Sequence, residues 1–446
     1  MSAEIDRLCV AEDLYVFAHA SGNLNPMHLP KEDGDGDGVP EAVAPAIWLA
    51  SLISAVLGNQ LPGPGTLFRN LSLEFLGHAQ AGDWLATRVE VTSLGPGRLV
   101  QLSAEVRKAN GETLVRGVVE VMAPTVPVTF DASDVPGLTV QTHVHFDRLL
   151  ELAAPLPPIP TAVVAPERPD ALAGPLLAAE HTLITPILIG DRKLIEGAAQ
   201  QFGADLSTYE IIDIPDHSAA AARAVALVHE GRVQAVMKGH LHTDELLRHI
   251  VKREGGLRAG RRVSHVFVMD VPGLTHLMFV TDAAINIAPN LETKVDITQN
   301  AIDLARTLGI ETPKVGVLSA IEIVTPKLPS TIDAAVLSKM AERGQIKGGI
   351  VDGPLAMDNA VNLEAARTKG IKSLVAGRAE ILVAPNLEAA NMLAKELTFI
   401  AHAEAAGIVI GAQVPVILTS RSDDEKSRLA SCAVAALYAA NKGQLG

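Results

Sequence analysis

Two hydrophobic periodicities divide this chain. From Leu67 to Met122 apolar and polar residues alternate, as in the stretch VQLSAEVR that begins at Val100. Alternation with period two is typical of antiparallel strands that bury one face. Asn110-Gly111 falls between two such runs, and this dipeptide is a strong signal for a tight hairpin. The segment therefore predicts a long antiparallel sheet.

The residues before these strands predict one buried helix. The stretch PAIWLASLISAVL, 45–57, is apolar on nearly every side, with Pro45 at its start and Gly58 just beyond its end. A helix that is hydrophobic all round must be surrounded by protein. An antiparallel sheet wrapped around a central helix is the α+β hot-dog architecture, which we expect for residues 1–125.

A linker over residues 126–145, rich in Pro, Thr and Val, separates this region from a different pattern. Short β-branched runs then alternate with helical segments, which predicts repeated βα units and a mostly parallel α/β sheet. Because roughly 300 residues is large for one such layer, we expect two lobes with a central cleft. Lobe I would hold 146–285 and 408–446, and lobe II 286–407. The runs predicted to be strands are TAVVAP, TPILIGD, YEIIDIP, VQAVMKG, KVGVLSA, GGIVDG, EILVAPN and VPVILTS.

Composition narrows the class of protein. The chain has 446 residues, 48% of them hydrophobic and 20% charged, which indicates a globular protein. The net charge of −14 argues against a nucleic-acid partner. Cys9 and Cys432 offer neither a disulfide framework nor metal-ligand spacing, and we expect no metal. With no export signal and no apolar run long enough to span a bilayer, a cytoplasmic location without a membrane partner is expected.

The stretch LTSRSDDEK places Ser420-Arg421 directly after a predicted strand and before the final helix. A hydroxyl, an arginine fork and the amides that start a helix suit a tetrahedral oxyanion such as phosphate. The alternative is simple helix capping by Ser422 or Asp423, with Arg421 in solvent.

Residues 146–446 resemble the phosphate acetyltransferase/phosphate butyryltransferase family. The resemblance implies interconversion of acyl-CoA plus phosphate with acyl phosphate plus CoA, without a tightly bound cofactor. It also implies that Ser420 is catalytic, that Arg421 binds phosphate, and that Arg248 and Thr243 assist it. The stretches that carry it are MKGHLHTDELLR, TDAAINIAPNLETK, VDGPLAMDNAV, PNLEAANMLAKEL and LTSRSDDEK.

Further site residues follow from the same resemblance. Ser427 stands where acetyl-specific members have an aspartate that acts as a base. We therefore expect Asp424 or Glu425 to be the base that handles the proton of the CoA thiol. The candidates for binding CoA or lining the cleft are Asn286, Asn290, Asp352 and Asn391. The competing interpretation is a two-lobed dehydrogenase that uses a metal and NAD, but no GxGxxG stands between a strand and a helix.

The N-terminal region resembles MaoC-type (R)-specific enoyl-CoA hydratases. Its stretch ASGNLNPMH matches the family pattern S-G-D-x-N-P-x-H, in which the aspartate and the histidine activate water. Here His28 is kept, while Asn23 replaces the aspartate, and an amide cannot accept a proton from water at neutral pH. Two interpretations stay open: an altered hydratase, and an acyl-CoA-binding or oligomerisation module without catalysis. Other hot-dog chemistry, such as thioester hydrolysis, is a third.

Together the two resemblances predict a bifunctional chain whose small-molecule partners are acyl-CoA, enoyl-CoA and phosphate. Hot-dog domains pair through their sheets, and the transferases are usually dimers. We therefore expect a homo-oligomer, a dimer or larger.

Overall fold

The computed structural model describes residues 1–30, 41–126, 128–129, 138, 140, 143–419 and 425–444. They form two compact units, Met1–Val140 and Gln141–Gly446. Much of the predicted linker, 126–145, lies outside the described residues. In the described part of the chain no helix is both long and apolar enough to cross a membrane.

The first unit is a single antiparallel sheet packed on one long helix. Its helices are α1 (Ala11–Ser21) and α2 (Ala46–Asn59), with short 3₁₀ turns at Pro26–His28 and Pro96–Arg98. Its strands are β1 (Ser2–Leu8), β2 (Leu67–Phe75), β3 (Trp84–Leu94), β4 (Leu99–Lys108) and β5 (Thr113–Met122). The strand order is β1-β3-β4-β5-β2, and every neighbouring pair is antiparallel.

Helix α2 packs one face on the sheet and leaves the other exposed, with Ile47 at 64% exposure, so burial on every side is not observed in this chain. Its residues Leu49, Ile53 and Val56 are buried against inward-facing strand residues such as Val89 and Leu102. The helix begins one residue later than predicted and ends two residues later. The hot-dog prediction is confirmed, because one long helix packs against one five-stranded antiparallel sheet.

The second unit is an α/β structure. Its strands are β6 (Ile159–Val164), β7 (Ile184–Gly190), β8 (Glu210–Asp213), β9 (Ala235–Lys238), β10 (Ser264–Asp270), β11 (Met278–Thr281), β12 (Lys314–Leu318), β13 (Ile350–Leu355), β14 (Ile381–Val383), β15 (Glu404–Ile410) and β16 (Val416–Ile417). Its helices are α3 (Val144–Ala153), α4 (Pro169–Glu180), α5 (Arg192–Gln200), α6 (His217–His229), α7 (Thr243–Ile250), α8 (Leu291–Thr307), α9 (Pro329–Glu342), α10 (Met357–Val361), α11 (Leu363–Thr368), α12 (Leu387–Phe399) and α13 (Glu425–Asn441).

One continuous sheet runs through this unit in the order β13-β12-β14-β11-β10-β15-β16-β9-β6-β7-β8. We call β16-β9-β6-β7-β8 the first arm and β11-β14-β12-β13 the second arm. Within each arm all neighbours are parallel. Strands β10 and β15 lie between the arms and pair antiparallel with each other and with both arms.

The predicted parallel βα repeats are therefore correct for both arms. The sequence reasoning did not identify β10, β11 and β15, which carry the antiparallel link. A connection of only seven residues, 271–277, joins β10 to β11, and so short a connection favours antiparallel pairing. The division into two lobes with a central cleft stays a prediction.

Helices cover both faces of this sheet. Val163 of β6 packs with α4 and α13 on one face, whereas Ala162 and Val164 pack with α6 and α7 on the other. Strands buried on both faces read as continuous apolar runs, which is why β6 and β7 showed no alternation.

Candidate active site

The carboxyl ends of the first arm share one edge of the sheet. Ile417 of β16 pairs in parallel with Met237 of β9, so Lys238, the next residue of β9, lies beside the start of the loop that follows β16. That loop leads into α13. The predicted residues Ser420, Arg421 and Asp424 belong to it, and they lie outside the described residues.

Lys238 is a half-buried cation at this edge. Its Nζ donates to the carbonyl oxygens of Gly239 at 3.2 Å and Leu241 at 3.5 Å. A Cβ on Gly239 would lie 2.4 Å from the carbonyl oxygen of Val164, so only glycine permits this close approach of two chains. The sequence reasoning did not single out Lys238. The sequence feature that could have indicated Lys238 is a charged residue at the end of an otherwise apolar strand.

Helix α7 starts close to Lys238 in sequence and carries two predicted phosphate ligands. Thr243 is its first residue and is half-buried. The Arg248 side chain is 74% exposed and lies 3.6 Å from Asp244, one turn earlier on the same helix. Such an exposed ion pair contributes little stability, so Arg248 remains available to an anion, and its phosphate role stays a prediction.

A titratable pair that the sequence did not reveal lies further along the same edge. Glu167 follows β6, and its side chain is 5% exposed. Its Oε1 accepts a hydrogen bond from the backbone N–H of Asp191 at 2.9 Å, and His217 Nε2 lies 2.7 Å from its Oε2. A carboxylate can only accept, so Nε2 of His217 carries the hydrogen. No sequence spacing connects these residues, since separate strands bring them together.

Glu425, one of the two predicted bases, is exposed at the start of α13. It lines a cavity of about 280 Å³ together with Arg428, Glu180 and Phe202. Ser427, at the position of the family's aspartate, is buried two residues further on. The structure thus places Glu425 beside α4, and its role as a base stays a prediction.

The strands of the second arm run antiparallel to those of the first arm. Asp270, at the carboxyl end of β10, pairs with Glu404, whereas Thr281, at the carboxyl end of β11, pairs with Val266 in the first half of β10. Strands β14 and β12 run parallel to β11. The carboxyl ends of the second arm therefore lie at the edge opposite to Lys238.

The four predicted CoA or cleft residues belong to this second arm and its loops, and each makes a local contact. Asn286 Nδ2 donates to Asp282 Oδ2 at 2.5 Å, and Asn391 Nδ2 donates to the carbonyl of Ala283 at 3.2 Å. Asn290 caps α8, and Asp352 Oδ1 accepts from the N–H of Gly353 at 2.8 Å. Their role in binding CoA or lining a cleft stays a prediction.

Asp282 organises the loop after β11 and was not identified from the sequence. Its carboxylate accepts hydrogen bonds from the backbone N–H groups of His265, Ala284, Ile285 and Asn286. Burial raises the pKa of Asp282, and the hydrogen bonds from Ala284, Ile285 and Asn286 oppose that shift.

In the first unit, His28 and Asn23 lie in the loop after α1. His28 Nδ1 lies 2.6 Å from the carbonyl oxygen of Val43. A carbonyl can only accept, so Nδ1 carries the hydrogen, and in the neutral ring Nε2 keeps a free lone pair. Asn23 is exposed, and its Oδ1 accepts from the backbone N–H of Asn25 at 3.3 Å. Its Nδ2 is a donor, and neither side-chain atom of Asn23 can take a proton from water.

Comparison with known proteins identifies the second unit. Residues 217–436 match the sequence model of the family described as Phosphate acetyl/butaryl transferase. Over 297 residues the chain is 58% identical to a phosphate acetyltransferase of Rhizobium meliloti, covering 67% of this chain and 94% of that protein. The chain belongs to the phosphate acetyl/butyryltransferase family.

Other members of this family agree. A phosphate butyryltransferase of Clostridium beijerinckii is 43% identical over 296 residues, which are 66% of this chain and 98% of that protein. A crystal structure of a branched-chain phosphotransacylase from Enterococcus faecalis superposes with a TM-score of 0.55 at 31% identity, covering 63% of this chain and 99% of that one. The predicted resemblance, and with it the classification as an acyltransferase, is confirmed.

The family match from 217 to 436 contains all the predicted phosphate, CoA and base residues of the second unit. The hot-dog unit lies outside it. The structure of an R-hydratase from Pseudomonas aeruginosa matches 32% of this chain and 91% of its own chain, at 30% identity and a TM-score of 0.30. The role of the first unit therefore rests on its own residues.

Proposed function

We propose that the second unit interconverts acyl-CoA plus phosphate with acyl phosphate plus CoA. The 58% identity to a phosphate acetyltransferase along 94% of that protein's length carries this proposal. CoA and phosphate act as substrates, and no tightly bound cofactor takes part. The competing dehydrogenase interpretation has no comparable support.

The reaction makes three demands, and we assign residues of the second unit to each of them. The negative charge of phosphate must be neutralised, the thioester carbonyl oxygen must be stabilised, and the CoA sulfur must gain or lose a proton. We assign phosphate neutralisation to Arg421, with Lys238 and Arg248 as supporting cations. Ser420 would donate to the carbonyl oxygen. Asp424 or Glu425 would handle the proton.

In the direction of acyl phosphate formation, a phosphate oxygen attacks the thioester carbonyl carbon. The tetrahedral intermediate then expels the CoA sulfur, which takes a proton as thiol. The reverse direction uses the thiolate as the nucleophile. The higher identity to the acetyltransferase, 58% against 43% for the butyryltransferase, favours an acetyl group.

Our proposal includes a cleft between two lobes and a homo-oligomer. Edge strand β2 of the hot-dog sheet exposes Phe68, Leu71 and Phe75. An exposed apolar edge strand favours pairing with another chain, which supports assembly through this unit.

The test measures CoA release from acetyl-, butyryl- and crotonyl-CoA by the full chain, with and without phosphate. We expect release from acetyl-CoA that depends on phosphate. Lys238→Gln should raise the KM for phosphate, whereas Lys372→Gln, which changes an exposed lysine, should not. Release that proceeds equally without phosphate would indicate a thioesterase and contradict the proposal.

We also propose that the first unit binds enoyl-CoA beside His28. The free lone pair on His28 Nε2 favours this, since it can take a proton from a water molecule. With an amide at Asn23 in place of a carboxylate, the water has one base, because the amide can orient the water but cannot take its proton. An altered hydratase and a binding module both fit this geometry, and hydration of crotonyl-CoA distinguishes them.

A further inference from the structure

Three side chains with metal-binding atoms converge where α3 begins against the central strands of the second unit. His143 directly precedes α3, Asp270 ends β10, and Glu404 starts β15. Asp270 and Glu404 stand opposite each other in the antiparallel register. One donor atom from each of the three residues lies within 4.8 Å of the other two.

Asp270 gives the strongest indication of a ligand. The residue is 1% exposed, and its Oδ2 accepts a hydrogen bond from the backbone N–H of Phe146 at 2.9 Å. Its Oδ1 is buried and has no hydrogen-bond partner among the residues that the structure describes. A buried carboxylate oxygen without a donor is costly, so it normally meets a water molecule or a cation.

His143 presents its second nitrogen to the same point. Its Nδ1 lies 3.3 Å from the carbonyl oxygen of Asp270, which can only accept, so Nδ1 carries the hydrogen. Nε2 therefore holds a lone pair, and it lies 3.9 Å from Glu404 Oε1. A backbone carbonyl that holds the far nitrogen of a histidine is the usual arrangement for a metal ligand.

Lys426 lies at the rim of this cluster. Its Nζ is 2.8 Å from Asp147 Oδ1 and 3.1 Å from the carbonyl oxygen of His143, both hydrogen-bond distances. Its distance to Glu404 Oε2 is 3.8 Å. The hydrogen bonds of Lys426 thus point to groups outside the three donors.

We propose that His143, Asp270 and Glu404 bind a divalent cation of the zinc type. Two carboxylates balance its charge, and one imidazole nitrogen with two oxygens suits Zn²⁺ better than Mg²⁺, which prefers an all-oxygen shell. Bonds of about 2.1 Å in tetrahedral geometry place ligands about 3.4 Å apart. His143 Nε2 and Glu404 Oε1, 3.9 Å apart, would need to approach by about 0.5 Å, and no pair of donors by more than about 1.4 Å, with water in the fourth position.

The bound cation would fix the start of α3 to the adjoining ends of β10 and β15. None of its three ligands belongs to the groups assigned to acyl transfer, so substitutions at this site leave those groups in place. A failure to bind Zn²⁺ would therefore leave the transferase assignment unchanged, and a failure of the transferase assignment would leave the proposed metal site unchanged.

The experiment uses the full chain, freed of metal with a chelator and titrated calorimetrically with Zn²⁺. We expect the wild type to bind one Zn²⁺ ion per chain. The affinity should fall by about tenfold or more in Glu404→Gln and His143→Gln. His229→Gln, which changes an exposed histidine of the same unit, should keep it. Co²⁺ should give a visible absorption band that Zn²⁺ abolishes, and Mg²⁺ should not compete.

Asp270→Asn keeps an acceptor for the N–H of Phe146 while removing the charge. We expect it to lose the Zn²⁺ site and to melt no lower than wild type in chelator. Wild-type protein that shows no such site, or all three ligand variants binding Zn²⁺ as tightly as wild type, would overturn the proposal. In either case water alone would satisfy Asp270.

Discussion

His265 should make the stability of the second unit depend on pH. It lies in β10, 2% exposed, with its ring 4.5 Å from that of Phe267 in an edge-to-face contact. Its Nδ1 is buried without a hydrogen-bond partner in the described part of the chain. Burial lowers the pKa of His265 from 6.5 to about 4, because the imidazolium would be desolvated.

The sign follows from proton binding. Below pH 6.5 the unfolded chain takes up a proton at this residue, and the folded chain does not until pH approaches 4. Stability is therefore complete above pH 6.5 and is lost as the pH falls toward 4. Each pKa unit is worth about 1.4 kcal/mol, so the full loss is about 3 kcal/mol, and about 2 kcal/mol of it has occurred at pH 5.

Urea unfolding of the full chain at pH 7.5, 6 and 5 measures this loss. The variant His265→Leu removes the titration and keeps a side chain of similar volume. The free energy of unfolding of the wild type, minus that of the variant, should therefore fall by about 2 kcal/mol on going to pH 5. His229→Leu, at an exposed histidine, serves as control. Parallel pH profiles for wild type and His265→Leu would refute the reasoning.

Three further predictions concern the proposed chemistry. Arg421→Ala should lower phosphate-dependent CoA release by about 100-fold or more, because one charge-assisted contact to the transition state is lost; near-wild-type turnover at saturating phosphate would rule the assignment out. Asn23→Asp should raise hydration of crotonyl-CoA by about 100-fold, since a carboxylate that can act as a base then joins His28, and His28→Ala should show no such gain; a wild type as fast as Asn23→Asp would show that the amide suffices. Treatment with a chelator should leave phosphate-dependent CoA release within about twofold, because the residues assigned to acyl transfer include no metal ligand; loss of activity that a divalent ion restores would contradict this.

The sequence predicted the elements whose patterns are local. The alternation from Leu67 to Met122 and the all-round apolar helix 45–57 correspond to β2–β5 and α2 within two residues at each end. The βα repeats identified eight strands of the second unit. The strands β10, β11 and β15 were not identified, because no helix separates β10 from β11 or β15 from β16, and such a helix is what marks a parallel crossover. Sheet order is a long-range property, and no local pattern encodes it.

The candidate site shows the same division. Ser420 and Arg421 stand out because a strand, a loop and a helix are adjacent in sequence. Lys238 and the pair Glu167–His217 come to the same edge from strands far apart in the chain, so spacing could not connect them. Asn286 and Asn290 follow strand β11 of the second arm, whose carboxyl end lies at the other edge of the sheet from Lys238, and their place in one cleft with Ser420 stays a prediction.

The continuity of the eleven-stranded sheet has a consequence for how the second unit unfolds. A single apolar cluster joins Val163 and Leu188 of the first arm to Val315 and Val351 of the second. Melting either arm would strip β10 or β15 of a hydrogen-bonded neighbour and expose that shared cluster to water. The two arms should therefore lose structure in one cooperative transition, and amides at the centre of β10 and β15 should exchange with solvent only through that event.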